Sequence, residues 1–221
     1  MKLAPDLISF TELIQLLQIP RLLAQHLLWV AGIGAQICDN WTGPALDQQK
    51  LRRVLLLHDI GNIVKILPAN PTETTLQKIY IQKFGGDDHV ASMTIARLAG
   101  LSKAEITLMQ HKTFINNEAT AMATASWEQK IAAYADQRAA PQGIPSLMER
   151  LLEARGRYKH RPGTSMNNPR TELLIDYAQL IETQVFMHLP FTAAQITTAS
   201  AGKYRAALET EMFRNPGISL G

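Results

Sequence analysis

The apolar run Leu55-Leu56-Leu57 ends on His58-Asp59, and packing gives no reason for an imidazole beside a carboxylate there. Burying that carboxylate without a partner is costly or forces it to stay protonated. A metal ion removes the penalty, because neutral imidazole and carboxylate both ligate divalent first-row metals. Gly61 then allows a tight bend or a close approach of backbone and ligand. Local capping at a helix C-terminus explains the dipeptide equally well. Four of the six histidines, His26, His58, His89 and His111, fall on apolar helical faces, and Asp136 ends the small apolar run Ala132-Ala133-Tyr134-Ala135. Each alone reads as a satisfied core residue. Four histidines and two carboxylates buried separately would be expensive, whereas one shared metal site accounts for all six. A mixed imidazole–carboxylate shell suits Mn, Fe, Co or Zn better than Mg or Ca.

The elements that must position these residues read as helices almost throughout. Ser9 with Glu12, Ser102 with Glu105, and Ser146 with Glu149 have capping-box spacing. Pro20 suits the first turn of a helix carrying His26. A third helix runs from about Asp47 towards His58, with a helical segment following to Leu67. After Pro68-Ala69-Asn70-Pro71, helical patterns cover Glu73 to Phe84 and Asp88 to Leu98, with Asp87-Asp88 as an N-cap. A long pattern runs from Glu118 to Ala139, and another helix reaches about Tyr158. His160 to Pro169 is the best loop candidate, and its Arg161 could touch a phosphate. Asn168-Pro169 opens a helix to about His188, and Thr192 with Gln195 opens a terminal helix. The expectation is an all-α bundle of about ten helices, with each metal ligand drawn from a different helix.

In order, His26, His58-Asp59, His89, His111 and Asp136 resemble the H…HD…H…H…D pattern of the HD-domain metal-dependent phosphohydrolase superfamily. His58-Asp59-Ile60-Gly61 has the HDIG form, and Tyr134-Ala135-Asp136 is similar to the family's YAD ending. The resemblance implies a single-domain HD bundle: an N-terminal helix at 1–19, a core at 20–160 and a C-terminal helical extension at 161–221. It implies one or two divalent ions. His26, His58, Asp59 and Asp136 would hold the first, and His89 and His111 the second, with Asp59 bridging. Such ions activate water and polarise a phosphate ester or anhydride. The family also implies a nucleotide or other small-molecule phosphate as substrate, with a nucleotide-sensing module around a structural metal as the alternative. The cyclic-di-GMP branch is not matched, since Asn62 stands in place of its lysine and no GYP occurs. Asp59, Lys65 and Lys112 are the candidate catalytic groups, and Asn62, Arg138 and Arg150 the candidate substrate contacts. Arg157 shares a helical face with Arg150. His160 and His188 read as structural or surface residues.

Composition limits the partners. The 221 residues are 46% hydrophobic and 19% charged, which suits one globular domain. A net charge of +3 does not argue for nucleic acid or membrane binding. The one cysteine, Cys38, sits in an apolar helical pattern and reads as packing in a reducing compartment. The opening residues do not read as a signal peptide, so the expected location is cytoplasmic. The helices from about Thr171 to Arg214 extend beyond the resemblance, and either pack on the core or form a homodimer contact.

Overall fold

The capping signals operate as hydrogen bonds. Ser9, Ser102, Ser126 and Ser146 each accept from the backbone N–H three residues on. Glu12, Glu105, Gln129 and Glu149 reach back to the N–H of the cap. The computed structural model describes residues 6–140, 142–160, 165–218 and 220. Among them the helices are α1 (Phe10–Leu16), α2 (Arg21–Asp39), α3 (Gln48–Leu57), α4 (Pro71–Phe84), α5 (Asp88–Leu98) and α6 (Lys103–His111). They continue as α7 (Asn117–Ala121), α8 (Trp127–Arg138), α9 (Leu147–Tyr158), α10 (Thr171–Phe186), α11 (Thr198–Gly202) and α12 (Arg205–Glu209). Asp47, Asn70 and Asp87 cap α3, α4 and α5. The fold is all-α, as the periodicity implied. None of the described helices is long and apolar enough to cross a membrane.

Helix α2 is the axis of the core. Leu23, His26, Leu27, Val30 and Ile33 are buried along it, and it packs on α3, α8, α11 and α12. Cys38 on this helix is buried, and burial pushes its thiol up to about 12. That agrees with a packing role.

Several expectations were overturned, among them the start at Asn168-Pro169, since α10 begins at Thr171 with Arg170 as its N-cap. The pattern from Glu118 to Ala139 is two helices. The Ser126–Gln129 box starts α8 afresh, and the Lys130 ammonium takes the last carbonyls of α7, at Thr120, Ala121 and Met122. The box at Thr192 and Gln195 forms but holds only a one-turn 3-10 helix, Ala193–Gln195. Extended Ile196 follows, and Thr197 then caps α11. Finally, the ends of the chain make a sheet that alternation did not betray. Strand β1 (Leu7–Ser9) pairs antiparallel with β2 (Met212–Arg214), Ile8 opposite Phe213, and the Arg53 guanidinium covers the Phe213 ring. Of the expected loop, Ser165–Asn167 is a 3-10 turn, while Arg161 lies outside the described residues.

After α3 the backbone breaks at Asp59 (φ −129°, ψ 20°) and enters a 3-10 helix, Ile60–Val64. This segment lies against α5. A Cβ on Gly61 would stand 2.3 Å from the Ser92 amide nitrogen and 2.7 Å from the Ala91 carbonyl carbon. The close approach at Gly61 is therefore helix to helix and not backbone to ligand, and its N–H donates to Ser92 Oγ at 2.9 Å. Gly61→Ala is expected to lower stability by about 1–3 kcal/mol, the usual cost of overpacking. Urea unfolding followed by circular dichroism measures it.

Candidate metal centre

Helical register brings the donors inward. His26 follows Leu23 by three residues and precedes Leu27 and Val30, so it shares the buried face of α2. His58 and Asp59 leave the end of α3, where the switch to 3-10 geometry turns Asp59 towards α8. Asp136 closes the apolar run of α8. One ligand atom from each of His26, His58, Asp59 and Asp136 lies within 4.8 Å of the other three.

The chemistry of this donor set fits a cation. His58 Nδ1 donates to the Leu55 carbonyl at 2.7 Å, which fixes the tautomer and leaves the lone pair of the neutral ring on Nε2. That Nε2 faces His26 Nε2 at 3.2 Å and Asp136 Oδ1 at 3.1 Å. Asp136 Oδ1 is 3.6 Å from His26 Nε2, and Asp59 Oδ2 is 4.0 and 3.9 Å from the two imidazole nitrogens. With bonds of about 2.1 Å, a tetrahedral shell has its ligands about 3.4 Å apart, and an octahedral one has neighbours about 3.0 Å and opposite ligands about 4.2 Å apart. Lone pairs this close repel unless a positive charge stands between them. His26 faces the centre through Nε2, while its Nδ1 and Asn62 Oδ1 are buried side-chain atoms without a protein partner among the described residues.

A lysine completes the electrostatics. Lys112 Nζ donates to Asp59 Oδ1 at 2.8 Å and to Asp136 Oδ2 at 2.9 Å, with the lysine side chain 3% exposed. Burial opposes ionisation of both carboxyls. The Lys112 ammonium outweighs it and holds them well below the usual carboxylate range. Burial likewise opposes the charge on Lys112, and the two carboxylates overcome it and raise its pKa. Burial pulls His26 down, which favours its neutral, ligating form.

The remaining candidates are not among the four donors. His89 and His111 are exposed and fall outside the four-donor group. On α6 the buried positions Glu105, Leu108, Met109 and Lys112 share one face, while His111 continues the exposed face of Ala104 and Thr107. Lys65 does not extend a helix from His58. It is exposed and pairs with Asp88. Arg138 is buried and bonds Tyr134 Oη, Glu182 and the carbonyls of Ala193 and Ile196, so it has no reach left for a phosphate. Arg150 bonds the Ala139 carbonyl and Glu153, which also pairs with Arg157. Asn62 is buried and donates to Asp59 Oδ2, which makes it a support of the ligand. His188 packs between Trp41 and Trp127, a structural place.

A cavity of about 270 Å³ opens beside His58. Met93, Met109 and Ile115 give it apolar walls, and His89, Ser92, Gln110 and Thr113 give it polar ones. Of these, only His58 and His89 were singled out in the sequence. Nothing local marks Gln110 or Thr113, which reach the cavity only because α6 meets α5.

The depressed carboxyls contribute stability that is complete above the unfolded carboxyl pKa of about 4 and is lost as pH falls below it. The raised pKa of Lys112 contributes stability that is complete below about 10.4 and is lost only at higher pH. Metal-free protein is therefore expected to weaken steeply between about pH 4 and pH 2, and less steeply in Asp136→Asn, as read from urea midpoints across that range.

The HD-domain family model matches residues 23–140, more than half of the chain, and spans His26, His58, Asp59, Lys112 and Asp136. No curated protein and no solved structure matches the chain. Four convergent donors in a helical core and a family match over the same residues place the chain in the HD-domain family of metal-dependent phosphohydrolases.

Proposed function

We propose that the chain hydrolyses a phosphate ester or anhydride bond in a small-molecule substrate, with nucleotides as the class. The observation that carries this reading is the set of four ligand atoms within 4.8 Å of one another, at a centre whose His58 also lines the cavity of about 270 Å³. A divalent ion held there would act as a Lewis acid on the phosphate and acidify a water.

The chain's own residues do the rest. The Leu55 carbonyl holds the His58 ring so that Nε2 points inward. Asn62 orients the Asp59 carboxylate, and Lys112 offsets the charge of Asp59 and Asp136. Met93, Met109 and Ile115 exclude water from one wall and offer an apolar surface to the body of the substrate. His89, Gln110 and Thr113 supply the polar contacts that orient it. The near-balanced charge supports a small molecule over nucleic acid or a membrane surface as the partner. We place this activity in the cytoplasm.

Purified protein is expected to turn over bis-p-nitrophenyl phosphate, and one or more members of a panel of nucleoside mono-, di- and triphosphates and cyclic nucleotides, when Mn²⁺ is present. Chelator should abolish the activity. His58→Ala and Asp136→Asn should each reduce kcat/KM by about 100-fold or more while the fold is retained. Nucleotide binding without turnover, with metal present, would favour the sensing module instead.

A further inference from the structure

We infer that Lys112 occupies the place a second cation would need, so that the centre binds one metal ion and the lysine supplies the neighbouring positive charge. This rests on the metal-centre reading above.

The oxygens of the two carboxylates are divided between two positive partners. Asp59 Oδ2 and Asp136 Oδ1 face the imidazole nitrogens of His26 and His58. Asp59 Oδ1 and Asp136 Oδ2 face away from them, and both accept from Lys112 Nζ. Each carboxylate thus bridges a position for a metal ion and an ammonium. In a two-ion centre these outer oxygens would serve the second ion. An ammonium has three donors and no lone pair, so it cannot join such an ion as a ligand and can only exclude it.

Charge and donor supply point the same way. Two carboxylates, one ammonium and one divalent ion leave a small net positive charge. A second divalent ion beside a retained Lys112 would place a large uncompensated charge among neutral imidazoles in the protein interior. Of the other histidines that could hold it, His111 is exposed, and His89, although it lines the cavity beside His58, lies outside the donor group. Lys112 cannot readily withdraw either. Its side chain is enclosed, and the register of α6 that buries Leu108 and Met109 also turns it inward. Lys112 is therefore a positioning residue, which acts on the metal through Asp59 and Asp136.

The count of bound metal tests this without any assay of turnover. Protein stripped with chelator, loaded with excess Mn²⁺ and desalted is expected to retain one equivalent by elemental analysis. Its frozen-solution electron paramagnetic resonance spectrum should be that of an isolated Mn²⁺ ion. Lys112→Arg keeps the charge and should also retain one. Lys112→His replaces the ammonium with a donor and should retain two, with an exchange-coupled spectrum. Two equivalents in the unmodified protein, or one in a folded Lys112→His, would overturn the inference. If Lys112→His does not fold, the count in the unmodified protein decides alone. Two equivalents there would leave the hydrolase reading standing, whereas none at all would sink both.

Discussion

Two carboxylates held side by side inside a helical core are the constraint on which the rest of the structure depends. Asp59 and Asp136 come from different helices and would repel each other strongly in a medium of low dielectric. Lys112 bridges them, and the Nε2 atoms of two imidazoles face a space for a further positive charge on the opposite side. No single element carries this arrangement. It exists only where α2, the end of α3, the end of α6 and the end of α8 meet, so the packing of those four helices is also the geometry of the centre. The tight contact of Gly61 with α5 belongs to the same requirement, since it sets the path of the chain directly after Asp59.

The segment beyond the family match takes part in this positioning. Arg138, two residues after Asp136, is sewn to Glu182 on α10 and to the carbonyls of Ala193 and Ile196. Gln36 on α2 donates to the Gln195 carbonyl and accepts from Ser200. Arg53 on α3 donates to the Met212 carbonyl, and β2 pairs with β1. The helices that carry His26, His58 and Asp136 are thus each tied to residues between 182 and 212. Lys130 adds a further brace from α8 to the end of α7 and to Gln184. The charged residues turned inward on α8 divide the work: half-buried Asp136 serves the centre, while buried Lys130 and Arg138 hold the helix in place by satisfying backbone carbonyls.

The cavity beside His58 has little positive charge of its own. The basic residues that the sequence offered as phosphate contacts, Lys65, Arg138 and Arg150, are all committed to other partners. For the proposed phosphate substrate, attraction would come from a bound metal ion and from Lys112 behind the carboxylates, with His89 a hydrogen-bonding group at the wall. Met93 and Met109 are adaptable surfaces and suit a substrate whose body is apolar or flat.

Much of this is legible in the sequence. The helix starts followed from serine and acid three residues apart, because a capping box is satisfied within one turn and needs nothing distant. His26, His58, Asp59 and Asp136 were legible because an imidazole or carboxylate in an apolar setting needs a partner wherever the fold puts it. Even the inward turn of Lys112 was written in the spacing of Glu105, Leu108 and Met109, although proximity to His111 drew attention to the wrong neighbour. What only the tertiary structure decided was which faces meet. It separated His89 and His111 from the donor group, committed Arg138 to the C-terminal segment and paired two short strands from opposite ends of the chain. Local spacing fixes the direction of a side chain about its own helix axis. The partner it meets depends on how distant helices are arranged, and that is set by the sum of many packing contacts that no short stretch of sequence contains.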